Sequence, residues 1–415
     1  MPLNMRIGWF LAFRAIRRAS LWTTSLIIFV MVLTFLNLVV ISGVLVGLLQ
    51  GAVEAVRTEY TSDVIISAPT DKRYIENSPN LIALVETLPE VEAMTPRYRE
   101  GGTLEAGYQT RKDTDKPNIA NAQIVGIDPR LEHTVTGIAN HIIEGEFLAP
   151  GDYDKVVLGN YLLSQYIPID TPGLPTLDNV GVGTKIRVHV DDVVREMEVK
   201  GILQTKVDEI AMRAFMVDTQ FRSLIGRTDG NVTEIAVKLK EGVDPVVVRN
   251  ALLLRGAGNE ARVQTFEEAL PQAFKDIIDT FNMLGVMFSS IGLVVASITI
   301  FIVIFVNALT RRKFIGILKG IGVSGRAVEI SYVFQSIFYA LVGSAIGLAL
   351  VYGLLVPYFA ANPIDFPFSD GILVAPAGQT FFRVGLLVGA TIIAGYIPAW
   401  MIIRRNTLDS ILGRN

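Results

Sequence analysis

The residues of this chain best placed to do chemistry lie in one short stretch, 310–326. There Phe314, Ile315, Ile317, Leu318 and Ile321 alternate with Arg311, Arg312, Lys313 and Lys319. Gly320, Gly322 and Gly325 break the helical pattern around Ser324, a residue fitted to cap the helix that follows. Apolar anchors among cations suit docking, on a membrane surface or in the groove of a partner, rather than bond-making. Catalytic alternatives find little support. The histidines, His133, His141 and His189, are far apart in sequence, and His141 with Glu144 and Glu146 lacks the second spaced histidine of a metal site. Asp191 and Asp192 follow a strand pattern and read as a hairpin turn. The sequence contains no G-x-x-x-x-G-K-[ST] phosphate loop, no H-E-x-x-H and no G-x-S-x-G. The chain is therefore expected to be non-catalytic, to bind no cofactor or metal, and to be unable to hydrolyse ATP alone. Absence of cysteine also excludes disulfides and thiolate catalysis.

The elements that must position such a docking segment follow from composition. With 51% hydrophobic and 19% charged residues, the chain is too apolar for an ordinary soluble enzyme. The excess lies in blocks 21–49, 283–309, 332–356 and 384–403, each free of Asp, Glu, Lys and Arg and each long enough to cross ~30 Å of hydrocarbon. The first block has no cleavage-site pattern and reads as an uncleaved span. Spans without ionisable residues offer no proton relay, so the energy for any transport must come from elsewhere. Asn37 and Asn307 are polar intruders suited to cross-helix hydrogen bonds. Gly43, Gly47 and Gly51 on the first span, and Gly343 with Gly347 on the third, recur every fourth residue and are expected to let helices approach closely, within the chain or between chains.

Orientation follows from the cations beside the spans. Arg6, Arg14, Arg17 and Arg18 precede the first; Arg311, Arg312, Lys313, Lys319 and Arg326 separate the second from the third; Arg404, Arg405 and Arg414 follow the fourth. These segments are expected to face the cytoplasm, giving a multi-pass protein of the inner or plasma membrane with both termini inside. Residues 54–279 instead carry 24 basic and 36 acidic side chains, an acidic exterior that argues against a nucleic-acid partner.

The expected fold is an integral membrane α-helical protein of four transmembrane helices, holding a large extracytoplasmic α+β domain with an inserted mainly-β subdomain. Residues 1–20 form an interfacial helix, with Trp9, Phe13 and Ile16 on one arc and the arginines facing membrane lipids. Residues 21–50 are the first span, continuing through 60 as a stalk that 266–281 joins from the other side. The domain occupies 51–280, followed by a span at 281–309, the docking segment at 310–329, a span at 330–357, an outer loop at 358–382, a span at 383–403 and a tail at 404–415. Within the domain, 61–120 and 230–265 repeat a β-α-β order and are expected to pair into one layer: strands 63–67 and 91–97 around helix 80–88, and strands 232–239 and 261–265 around helix 245–254. The insert, 121–229, has strands at 122–127, 185–190, 195–203 and 214–217 and a helix at 157–165. Segments 118–122 and 167–179 read as loops.

The docking segment resembles the Arg-[Arg/Lys]-Glu-Ile-Gly-Ile-Leu-[Arg/Lys]-Ala-[Leu/Ile]-Gly stretch of MacB/FtsX-type (type VII) ABC permeases. Gly395-Tyr-Ile-Pro-Ala-Trp400, then Arg404-Arg405 and Leu408-Asp-Ser-Ile-Leu412, is similar to the family's C-terminal Pro-Ala motif, and the order of parts agrees over the whole chain. Phe314 stands where the family usually has Glu, and Asn406-Thr407 replaces a Pro region. The resemblance implies that Phe314, Ile315, Gly316, Ile317, Leu318, Gly320 and Gly322 dock a separate ABC ATPase subunit, which binds the ATP and Mg. It further implies a homodimer, or a heterodimer with a paralogous permease, with an extracytoplasmic adaptor as a further possible partner. ATP-driven movement of the outer domain then exports or extracts a substrate from the outer face of the membrane. The alternative is a mechanotransmission subunit controlling a cell-wall enzyme or sensor kinase without transport.

Overall fold

The computed structural model describes residues 3–112, 116–167, 175–366, 369–371 and 373–403. The chain divides into two compact units, Met1–Gln50 with Asp276–Phe366 and Asp370–Asn415, and Gly51–Lys275 with Pro367–Ser369.

The first unit is helical. Among the described residues, four helices are long and apolar enough to cross a membrane: Leu21–Thr61, Phe274–Thr310, Gly325–Ala361 and Ala377–Met401. They pack through Ile27, Met31, Phe35 and Leu38 of the first, Ala296, Ile300 and Ile304 of the second, Tyr332 and Tyr339 of the third, and Leu387, Ala394 and Ala399 of the fourth. Much of the remaining surface is apolar: Val286, Ile291, Val294, Ile298 and Ile302 of the second helix are all exposed, a stripe that needs lipid or another protein over it. The first helix loosens into π turns at Asn37–Ile41 and Arg57–Thr61, and the third at Val351–Leu355. The N-terminal helix, Leu3–Arg17, lies on the start of the third: Trp9 meets Phe334 edge-on at 5.2 Å between ring centroids, and a side chain at Gly8 would come within 2.6 Å of Ile330.

Two boundaries differ from expectation. Helix Phe266–Ala269 stops at Leu270, and Pro271, which cannot sit in a helix interior, separates it from Gln272–Thr310, so the second helix has no unbroken lead-in from 266. The fourth helix begins at Ala377, which brings Arg383 into an apolar helix that the composition of 384–403 alone had left uncharged.

Among the described residues, the second unit is built on ten strands: β1 (Val64–Ser67), β2 (Val91–Ala106), β3 (Asn118–Ile127), β4 (Ile142–Gly145), β5 (Lys155–Gly159), β6 (Lys185–Val190), β7 (Val193–Leu203), β8 (Arg213–Val217), β9 (Glu234–Leu239) and β10 (Arg262–Thr265). Their order is β10-β1-β9-β2-β3-β8-β5-β7-β4, with β6 against β2 and β7. The two β-α-β flanks interleave: β1 lies between β10 and β9, antiparallel to both, under helices Ser78–Glu86 and Pro245–Leu254. Asp244 caps the latter by accepting from Val246 N. This layer encloses a core of Val64, Ile66, Leu81, Val85, Ile235, Val237, Val248 and Leu252.

β2 joins the layer to the remaining strands. Its first half, to Arg97, pairs with β9, and Tyr98–Ala106 pairs with β3. The strand expected at 91–97 runs on to Ala106. Gly102 is there because β6 approaches: a Cβ would lie 2.7 Å from the His189 carbonyl oxygen and 2.8 Å from Ile124. A second core, of Leu104, Ile124, Leu158, Ile186, Val188, Met197, Ile202 and Phe221, fills this part. The helix expected at 157–165 is instead β5 with two short 3-10 turns, because Val156, Val157 and Leu158 are buried in the sheet, a position that outweighs helical spacing. Residues 118–122 open β3 rather than forming a loop. Asp191, at φ +47°, makes the β6–β7 hairpin turn. Of the loop expected at 167–179, residues 168–174 lie outside the described residues.

Candidate coupling segment

The short helix Arg312–Gly320 follows the second apolar helix after a break at Arg311. Gly322, at φ +95°, reverses the chain in a conformation that side chains resist, and Ser324 then starts the third helix by accepting from Ala327 N at 3.2 Å. Ser324 Oγ also donates to Asn4 Oδ1 at 2.8 Å, tying the hook to the N-terminal helix.

The hook's apolar residues divide between two faces. Ile315, 5% exposed, is buried in the helical core with Ala308, Val328 and Ile403, and Gly316 is buried beside it in sequence. Phe314, Ile317 and Ile321 are 57%, 53% and 73% exposed, and their i, i+3, i+7 spacing sets them on one side of the helix. Leu318 is half-buried between the two faces, and Gly320 is exposed with open space around it. Ile315 therefore anchors the hook from within and is not available to a partner, whereas Ile321 joins the outward face. Lys319 is also more than a surface charge: its Nζ donates to the Ile403 carbonyl oxygen of the fourth helix at 3.0 Å.

The spaced glycines separate as well. Gly343 and Gly347 face the first helix, where a Cβ would lie 2.4 Å from Met31 and 2.2 Å from Phe35. Gly43 meets the irregular segment at Leu373 and Val374 rather than a helix. Its Cβ would approach the Val374 carbonyl oxygen at 2.8 Å, and Val374 N donates to the Gly43 carbonyl oxygen at 3.2 Å. Gly47 is buried and Gly51 half-buried in the same helix, Ser42–Val56. Asn37 lies against Gly292, and Asn307 lines a polar cavity of about 220 Å³ with Thr24, Arg311, Tyr332 and Gln335.

A feature of the second unit escaped sequence reasoning. Its π turn, Arg57–Thr61, is held into the sheet by buried charge. Arg97 of β2 donates to Glu132 twice, to the Tyr60 carbonyl oxygen at 2.9 Å and to Glu234 of β9 at 3.2 Å. Arg213 of β8 donates to Glu234 at 3.3 Å and stacks over the Tyr60 ring at 4.4 Å, and Tyr60 Oη donates to Glu234 at 3.1 Å. Burial alone would push the Glu234 carboxyl up, but Arg213, Arg97 and Arg99 outweigh it and hold the group down to about 2. Burial and the Glu234 charge push the Tyr60 phenol up, so it stays a donor. Among the described residues no cluster of three His, Asp or Glu is arranged to hold a metal ion.

Residues 24–253 match the MacB-like periplasmic core domain, and residues 286–407 match the FtsX-like permease C-terminal region. The chain belongs to the MacB/FtsX-type family of ABC transporter permeases. It is a membrane protein whose Gly51–Lys275 unit is an extracytoplasmic domain. It is 27% identical over 188 residues to the macrolide export ATP-binding/permease protein MacB of Escherichia coli, covering 43% of this chain and 28% of that protein. It is 25% identical over 238 residues to an uncharacterized ABC transporter permease of Methanocaldococcus jannaschii, covering 54% of this chain and 58% of that one. The chain thus spans about a quarter of the first relative and over half of the second. The periplasmic region of MacB from Actinobacillus actinomycetemcomitans aligns with 55% of this chain at 16% identity and a TM-score of 0.35.

Proposed function

We propose that this permease subunit couples ATP hydrolysis on a separate ABC ATPase to movement of its extracytoplasmic domain, driving export or extraction of a substrate from the outer face of the membrane. The observation that carries the reading is the outward apolar face of Phe314, Ile317 and Ile321 on a short helix whose other face, through Ile315, belongs to the core of the helical unit. A partner gripping the outer face pulls on that core without needing to enter it. This chain does no chemistry of its own; its residues bind and transmit.

In this reading the hook and both termini are cytoplasmic in the inner or plasma membrane, as the flanking cations favour. The protein works as a homodimer or with a paralogous permease, with an adaptor on the outer domain as a further partner. The strands within 121–229 act as the mainly-β insert that grips substrate or adaptor. The test is copurification. Ile317→Asp should leave the protein inserted and folded yet remove the ATPase and any stimulated hydrolysis. Retention of both at wild-type levels would discard the docking role.

A further inference from the structure

The fourth helix carries an arginine just outside the uncharged block 384–403, at the first residue of the expected span 383–403. Arg383 is six residues into Ala377–Ile403, about 9 Å from that helix's start at 1.5 Å per residue. Lys319 of the hook binds Ile403 far along the same helix, so Arg383 lies towards the helix end away from the hook. One guanidinium arm, Nη2, donates to Ser42 Oγ of the first helix. The other, Nη1, is buried and has no hydrogen-bond partner among the described residues. An unmatched cationic donor inside an apolar bundle is costly, and an arginine retained there points to an anion.

The space beside it has the shape of an amphiphile. A cavity of about 420 Å³ opens between the first, second and fourth helices, within the range of small-molecule sites. Ser42 beside the arginine, with Asn282, Ser289 and Gln379, adds polar groups to the cavity lining, while Leu38, Val286, Leu293 and Leu386 form apolar walls. The π turn Asn37–Ile41 ends immediately before Ser42, and such turns cluster at functional sites. A free inorganic anion has no use for those walls, and an uncharged tail has none for Nη1. We infer that the cavity binds an anionic phospholipid of the outer leaflet, its phosphate on Arg383 and one acyl chain along Leu38, Leu293 and Leu386. The site is separate from the hook and does not depend on ATPase docking.

The test is lipid titration of the detergent-purified protein, with bound phosphatidylglycerol and phosphatidylcholine counted by native mass spectrometry. The wild type should hold phosphatidylglycerol in preference to phosphatidylcholine. Arg383→Gln should weaken phosphatidylglycerol about fivefold or more, the worth of one cation at a membrane surface, and Arg383→Lys should restore part of it. Ser289→Leu, which fills the cavity and keeps the arginine, should weaken it too, and so decides the matter if Arg383→Gln proves unstable. Inorganic phosphate should not compete at millimolar concentration. Unchanged phosphatidylglycerol binding in Arg383→Gln or in Ser289→Leu would overturn the inference. Displacement of the lipid by phosphate alone would overturn it as well, leaving a simple anion site.

Discussion

Arg97 holds Glu132 side-on, with Nη2 donating to Oε1 at 2.6 Å and Nε to Oε2 at 2.9 Å, and both residues are fully buried. The same carboxylate accepts from Thr95 at 3.1 Å and Thr136 at 2.8 Å, so every lone-pair direction is used. A pair this enclosed adds little against an apolar substitute but is expensive to halve. Glu132→Gln should therefore cost about 3 kcal/mol, because it leaves the buried Arg97 with only Glu234, which Arg213 shares, as counter-charge. The double variant Arg97→Met with Glu132→Gln should cost clearly less than the two single losses summed. Chemical denaturation followed by circular dichroism measures this, and strict additivity would refute the coupling.

The acid side of the stability curve belongs to Glu234. Its folded value, about 2, lies below the ~4.3 of an unfolded glutamate. A depressed carboxyl contributes fully above the unfolded value and loses that contribution as pH falls through the folded one. The outer domain should thus lose stability between about pH 4 and pH 2, and Glu234→Gln should flatten that part of the curve while lowering stability at pH 7. A variant curve parallel to wild type over this window would contradict the assignment.

The two faces of the hook predict two phenotypes. Phe314→Asp and Ile321→Asp should resemble Ile317→Asp, with a folded protein whose partner affinity falls by ~2 kcal/mol or more. Ile315→Asp should instead reduce the thermal stability of the protein itself, because it buries a carboxylate without a partner. Lys319→Ala should give a small stability loss, ~1 kcal/mol, through the freed Ile403 carbonyl. If Ile315→Asp leaves the melting temperature unmoved, the inward face has been misassigned.

Gly347→Ala should destabilise the helical unit by about 1–3 kcal/mol, because its new methyl would sit 2.2 Å from Phe35. Phe35→Leu should recover part of the loss by making room. Gly389→Ala, with no atom within 4 Å of the added carbon, should be neutral or slightly stabilising. Thermal melts in one detergent compare the three, and equal effects at 347 and 389 would remove the case for close packing.

Topology is open to labelling because the chain has no cysteine of its own. An impermeant maleimide added to spheroplasts should modify Asn80→Cys, at an exposed site in the outer domain, and spare Lys313→Cys on the exposed side of the hook. Modification of position 313 from outside would invert the orientation.

The four spans, the charge difference between their flanks and the amphipathic hook are legible from the sequence because each is a local sum over neighbouring residues. The same holds for β6 and the helix Pro245–Leu254, whose periods repeat within one element. The direction in which Ile315 and Ile317 point was not legible. Both are apolar, and only the packing of Ala308, Val328 and Ile403 gives the hook an inside. In spans that are apolar all round, no pattern marks which glycine meets a helix; Gly343 and Gly347 do, while Gly43 meets the chain at Val374. The Arg97, Glu132, Glu234, Arg213 and Tyr60 cluster joins positions separated by up to 174 residues, and no local window contains a charge and its partner together. Arg383 opened the expected span 383–403, and only the helix start at Ala377 sets it a turn and a half inside the helix. Local sums determine what inserts and what is amphipathic. Only tertiary contact decides which face is free, because a side chain's neutralising or excluding neighbour is set by the fold and not by its place along the chain.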